Sequence, residues 1–259
     1  IRALRGDQYS HNTMMVNSSH LKQHQQRLKM LIEDYVERIN DAIESFSGLG
    51  LEESAKNKIL KSIQDTFITS FNVEEKYEEI FLELPRSVNK TKVLAVYHGG
   101  DNLDYSTFSE FGLSAIAIGG HRLSRGLTLE GLSVSYFTRN SKAYDTLMQM
   151  CRWFGYRPRY KDLCRVYLPT ESDDWYSFIT TSINELYSEL DLMSKSEKRP
   201  CEFGLKVREH PGSMIITAKN KMQASASEVR SQELWGQILR RFRFRQESVP
   251  NQRNPERSC

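Results

Sequence analysis

Cysteine is scarce and scattered in this chain. Its four residues, Cys151, Cys164, Cys201 and Cys259, show no C-x-x-C or Cys/His ligand spacing. That excludes the common zinc modules and points to reduced thiols in a cytoplasmic setting. The histidines form no H-E-x-x-H pattern, so no metal site is expected. His98 and His121 follow strand-like runs, where a ligand contact is open to them, though a lone histidine is more often a structural hydrogen-bonder. No apolar run approaches the roughly 20 residues that span a bilayer, and no charged-then-apolar leader opens the chain. A G-x-x-x-x-G-K-[ST] phosphate loop is missing too: Asn89-Lys90-Thr91 has the Lys-Thr without the glycines. Nor does an Asp-Glu pair follow an apolar strand where Mg²⁺ would need one. At most half of a nucleoside triphosphate site is expected here. The chain opens at Ile1 rather than Met, and is expected to be an excised piece of something longer.

What is present is a chain of 259 residues with the composition of an ordinary globular protein, long enough for one large domain with a sizeable insertion. The net charge of +3 decides little, but its distribution is uneven. Gly119–Leu168 carries nine Lys/Arg against three Asp/Glu, an excess that points at phosphate. Arg27–Arg86 holds eight basic and thirteen acidic residues, a poor surface for DNA and a better lid, spacer or protein contact. From Lys219 onward nine basic residues face four acidic ones. There the RRFRFR stretch at 240–245 fits either a phosphate-following, base-stacking tail or an edge strand. The terminal SVPNQRNPERSC reads as disordered.

Five short runs suit buried parallel strands: Met14–Asn17, Lys92–Tyr97, Ala115–Ile118, Val134–Phe137 and Arg165–Leu168. Leu28, Leu31, Ile32, Tyr35, Ile39, Ile43 and Phe46 mark one face of a long helix after the first. A second helical pattern runs from Glu52 to Leu84, ended by Pro85. About 75 residues separate the first two strands, far more than a plain β-α-β unit needs, so a helical insertion is expected. Further helices are expected at Tyr144–Trp153 and Tyr176–Leu192. Strands are expected at Phe203–Val207 and Met214–Thr217, as a hairpin-like extension. Between the third and fourth runs lies Gly119-Gly120-His121-Arg122-Leu123-Ser124-Arg125-Gly126, glycines and short polar residues that let backbone amides approach an anion.

Here the residues carry a resemblance. SRGLTLEG after an IAIGG run resembles motif V of superfamily 2 helicases, and QMCRWFGYR resembles their motif VI. Their order, their spacing and the SVSYFTRN run between them are similar to the second RecA-like domain of that superfamily. The fuller resemblance is to the Z-one domain, a helicase-like family associated with bacterial restriction, modification and defence systems. Its hallmarks appear as IAIGGHRLSRGLTLEGL and YDTLMQMCRWFGYRPRYKDLCRVY, with weaker likeness at HNTMMVNSS, YHGGDNLDY and FGLKVREHPGSMIITAKNKM. It covers most of residues 11 to 225, and its specific part is 114–168.

The resemblance implies an α/β fold, a RecA-like parallel sheet flanked by helices of the second-helicase-domain kind. Residues 1–19 and 87–192 would form the core, 20–86 the helical insertion, and 193–259 a C-terminal extension with a basic tail. It implies the C-terminal motor half of an ATP-dependent DNA helicase or translocase, in the bacterial cytoplasm. ATP and Mg²⁺ would be held mainly by an N-terminal RecA-like domain of the full-length chain, so this portion alone is expected to be inactive. Arg157 or Arg152 would be the arginine finger; they stand five apart where the common helicase pattern has three. A structural role for one of them, paired with Asp145 or Asp162, is the rival. Gln149, Gly126 and Thr128 would meet nucleotide. Ser18, Ser19, His121, Arg122, Ser124 and Arg125 would meet DNA, RNA being an open alternative; for Ser18 and Ser19 a plain helix N-cap is the competing reading. Nuclease or methyltransferase partners would fit such a system. Two other classes stay open: a non-catalytic nucleic-acid-binding scaffold, and an endonuclease. The only E-x-K, Glu74-Glu75-Lys76, falls in a helical pattern, whereas nucleases of that type carry it on a strand.

Overall fold

The computed structural model describes residues 1–124, 127–138, 144–150, 157, 159–196, 206–208, 226–234 and 237–245. The chain divides into two compact units, Ile1–Arg139 with Met150–Pro169, and Asn140–Gln149 with Thr170–Cys259.

In the first unit, β1 (Asn12–Asn17) leads into α1 (Lys22–Phe46), α2 (Leu51–Ser54), α3 (Lys58–Ser70) and α4 (Tyr77–Asn89). Then come β2 (Thr91–Val96), β3 (Ser114–Gly119), the short α5 (His121–Ser124), β4 (Leu132–Phe137), and, beyond α6 (Tyr144–Met150), β5 (Arg165–Tyr167). The five strands form one parallel sheet in the order β2-β3-β1-β4-β5, flanked by helices. All five strand-like runs of the sequence are strands of this sheet. β1 is central because most of its length buries on both faces: Thr13, Met15, Val16 and Asn17 are all inaccessible or nearly so.

The helical segment between β1 and β2 departs from expectation in three ways. First, α1 is itself the crossover helix: Leu28, Ile32 and Val36 pack on Val16, Val93 and Ile118 of the sheet. Only its far end joins α3 and α4 in a separate small core around Ala42, Ile43, Leu60, Tyr77 and Phe81. Second, Leu31 and Tyr35 lie off the buried line, 58% and 47% exposed. Each sits one residue, about 100°, round the helix from Ile32 and Val36. Third, Pro85 lies inside α4 rather than ending it. The lost backbone bond is tolerated because Phe81, Leu84 and Val88 on either side pack into the small core. Glu74-Glu75-Lys76 precedes α4 in an irregular connection, so the E-x-K is neither in a helix nor on a strand.

That connection is tied down by Arg5, whose Nε donates to Glu75 at 2.5 Å and whose Nη2 donates to Asp162 at 2.8 Å. These hydrogen bonds hold both carboxyls below their ordinary range. A more buried pair sits nearby. Arg2 Nη2 and Asp7 Oδ2 are 2.6 Å apart, and Arg2 Nη1 also donates to the carbonyl of His11 at 2.9 Å, beside the start of β1. Burial pushes the Asp7 carboxyl up, but hydrogen bonds from Ser10 and Arg2 outweigh it and the net shift is downward. Asp7→Asn is therefore expected to cost about 3 kcal/mol at neutral pH, since it leaves a buried guanidinium short of its partner. A carboxyl depressed in the folded state stabilises above the unfolded carboxylate value, about 3.9, and that contribution is lost as pH falls through the depressed folded value. Chemical denaturation of Asp7→Asn and the parent chain should differ at pH 7 and converge as pH falls through the depressed folded value.

In the second unit, α7 spans Thr170–Lys195, and Tyr176 donates its hydroxyl to the carbonyl of Leu147 at 3.0 Å. A second, antiparallel sheet has the order β6-β8-β7, from β6 (Lys206–Arg208), β7 (Ala226–Leu234) and β8 (Gln237–Arg245). The strand holding RRFRFR is therefore central, not an edge, because β8 pairs on both sides. Met214–Thr217 and SVPNQRNPERSC lie outside the described residues. No helix among the described residues is long and apolar enough to cross a membrane.

Candidate functional site

The strand order sets where a ligand fits. From β1 the chain moves toward the β2 edge, whereas the later connections move the other way. Right-handed crossovers then put α1 on one face and the connections after β2 and β3 on the opposite one. The loop leaving β1 diverges from that leaving β3, which makes the carboxyl end of β1 the switch point, where open α/β sheets take ligands.

Three strand ends are tied together there. Ser18 N donates to Gly119 O and Thr138 N donates to Asn17 O, both at 3.0 Å. Ser19 Oγ accepts from Leu21 N at 3.1 Å, a local turn before α1, and the helix N-cap is Leu21 rather than either serine. Ser18 Oγ is buried and has no hydrogen-bond partner among the described residues. The same is true of Gln25 Oε1, on a side chain only 2% exposed whose Nε2 donates to Ser19 O at 2.8 Å. Gln25 was missed in the sequence, where it reads as one more polar residue in a helix.

Gly120 brings the β1 and β3 loops together. A Cβ there would stand 2.9 Å from Ser19 O and 3.0 Å from His20 Cα. The space that a side chain would fill is held by neighbouring backbone, so this glycine serves loop-to-loop approach. α5 follows directly, with Leu123 fully buried. His121 and Ser124 are at its two ends and Arg122 between them.

Arg122 is exposed and donates through Nη1 to Tyr97 O at 2.9 Å, just past β2. Lys22 lies over the Tyr97 ring, 5.4 Å from its centroid, within cation–π range, and Gln26 Nε2 donates to Tyr97 OH at 2.6 Å. Among the described residues neither Arg122 nor Lys22 forms an ion pair. Near the opposite ends of the strands, by contrast, Arg2, Arg5 and Arg159 all face carboxylates. Asp101, in the loop after β2, is engaged with Lys29 at 2.8 Å. Burial raises its carboxyl, and hydrogen bonds from Lys29 and Ala95 N bring the net shift below the ordinary range.

Among the remaining described candidates of this unit, Arg157 lies away from that edge. Thr128 is exposed on the return toward β4. Arg157 Nε donates to Leu132 O at 3.2 Å, at the amino end of β4. Asp162, proposed as a rival partner for these arginines, is held by Arg5. Gln149 is exposed on α6. Arg125, Gly126, Arg152 and Asp145's side chain lie outside the described residues.

A family model of the Z1 domain matches residues 1–215. The chain belongs to the Z1 domain family. No curated protein and no solved structure matches it. The matched span of the Z1 domain takes in the whole parallel sheet, α7 and β6. The glycines of its IAIGG and LEG stretches have separate structural uses. Gly120 allows the loops to meet. Gly131 holds φ +64° where a Cβ would collide with the His11 carbonyl.

Proposed function

We propose that this Z1 domain is the C-terminal, RecA-like motor half of an ATP-dependent superfamily 2 DNA helicase or translocase in a bacterial restriction-modification or defence system, working in the cytoplasm. The observation that carries the reading is the carboxyl edge of the sheet. Arg122 and Lys22 stand there without carboxylate partners among the described residues, beside Ser18 and Ser19. Such cations favour phosphate, and a motor that steps along any sequence needs phosphate contacts more than base contacts. His121, Ser124 and Arg125 share the same short segment and the same proposed role.

ATP and Mg²⁺ would be held mainly by an N-terminal RecA-like domain, this chain having no phosphate loop. Residues 1–259 alone are therefore expected to release no phosphate above background in an ATP hydrolysis assay. From this side Gln149, Gly126 and Thr128 would meet nucleotide, and an arginine would reach the γ-phosphate, where fixed positive charge matches charge developing in transfer. The bond from Arg157 to the start of β4 supports a structural strut there and favours Arg152 as the reaching residue. Nuclease or methyltransferase partners are part of the same proposal.

DNA binding tests the edge directly. Affinity should be insensitive to sequence and should fall steeply as salt rises. Arg122→Ala should lower the slope of log affinity against log salt by about one. A lower melting temperature with an unchanged slope would make Arg122 a clasp on Tyr97 and remove it from the DNA path.

A further inference from the structure

We propose that Tyr136 and Tyr167 form a ledge on which an unpaired base of a nucleic-acid strand stacks; this rests on the nucleic-acid reading above and adds a contact that the motif resemblance does not assign. The two residues are register partners on β4 and β5. Tyr136 also pairs with Val16, and Val16 packs against α1. Both rings therefore project from the face of the sheet that α1 covers farther along, over β2 and β3. Near the amino end of β5 that face is closed by Phe71 and Ser70, which Arg165 grips. At the carboxyl end Tyr136 is 45% and Tyr167 47% exposed. Their centroids are 6.3 Å apart with the planes tilted by 42°, inside the range in which aromatic pairs support each other.

Large rings at the end of a sheet edge, side by side and left to water, suit a planar partner. Charge selects which one. Arg165, two residues before Tyr167 on the same face, makes its hydrogen bonds to the carbonyl oxygens of Ser70, Asp162 and Cys164. Its fixed positive charge thus has no carboxylate at hydrogen-bond distance among the described residues, and the side chain of Asp162 is taken by Arg5. The ledge also adjoins the carboxyl edge, since Thr138, two residues after Tyr136, is bonded to Asn17 next to Ser18. A strand whose phosphates follow Lys22 and Arg122 has bases to place, and every base offers a stacking face whatever the sequence.

The test uses the full-length protein and single-stranded DNA carrying 5-iodouracil, with ultraviolet crosslinking and peptide mapping. Crosslinks at Tyr136 or Tyr167 are expected. The double variant Tyr136→Ala, Tyr167→Ala should bind the strand about tenfold or more weakly at fixed salt, with the salt slope unchanged because stacking releases no counterions. The double Tyr→Phe variant should bind like the parent, and should do so even if the alanine pair fails to fold. Crosslinks elsewhere, or unchanged affinity in a folded alanine pair, overturn the ledge while the nucleic-acid reading stands. Lost ATP turnover with unchanged DNA affinity overturns it in favour of a protein contact. Absence of DNA binding by the parent at any salt removes both.

Discussion

Arg152→Ala in the full-length protein is expected to reduce ATP turnover by about 10³-fold or more, with nucleotide binding nearly unchanged. An arginine that acts on charge developing at the γ-phosphate stabilises the transition state and adds little to ground-state affinity. Arg157→Ala separates the two candidates. Its bond to Leu132 O at 3.2 Å places its effect on stability, with turnover largely kept. Stopped-flow phosphate release on both variants decides the assignment. If Arg157→Ala abolishes turnover and Arg152→Ala does not, the two roles are exchanged and the motor survives. Normal turnover in both variants would remove the finger, and the motor reading with it.

Gly131→Val should be the most destabilising single change in the parallel-sheet unit, by about 4 kcal/mol. A β-branched residue at φ +64° is strained before any contact is counted. Here its Cβ would also drive into the backbone of His11 and Asn12, just where Gly131 O accepts from Thr13 N at 3.0 Å. Neither side can yield without breaking the start of the central strand. For a unit of this size the loss corresponds to roughly 8–16 °C in melting temperature, read by circular dichroism. Gly48→Val is the control, because Gly48 has open space around it and a φ outside the left-handed region. A Gly131 variant as stable as that control would show that the strand entry is not packed as described.

Much of the fold was legible in the sequence, and the reason is specific. Each strand of the parallel sheet is a short apolar or β-branched run bounded by polar residues or glycine, a pattern local enough to read directly. The errors arose where the answer depends on distant partners. Leu31 and Tyr35 fit a helical stripe within three or four residues of the buried line, and only the packing of Leu28, Ile32 and Val36 on the sheet shows that they fall outside it. Pro85 looked like a stop because a lost hydrogen bond is a local fact, while the small core that carries the helix past it is not. RRFRFR reads equally well as edge or centre until β6 and β7 are seen to pair with it. The site was legible as a segment but not as a constellation. Motif resemblance pointed to Ser18, Ser19 and Arg122, and the topology brings them to one edge. Nothing local marked Gln25 beneath Ser19, the hold of Tyr97 on Arg122, or the meeting of Tyr136 and Tyr167 from strands about 30 residues apart.

This Z1 domain is proposed as half of an ATP-driven motor that acts on nucleic acid. The most direct test is steady-state ATP hydrolysis by the full-length protein, measured without DNA and then with rising concentrations of single-stranded DNA. A motor half is expected to give hydrolysis that DNA stimulates to saturation and that salt suppresses in parallel with binding. A folded protein that binds DNA with the expected salt dependence, yet hydrolyses no ATP at any DNA concentration, would contradict it and leave a nucleic-acid-binding scaffold in the motor's place.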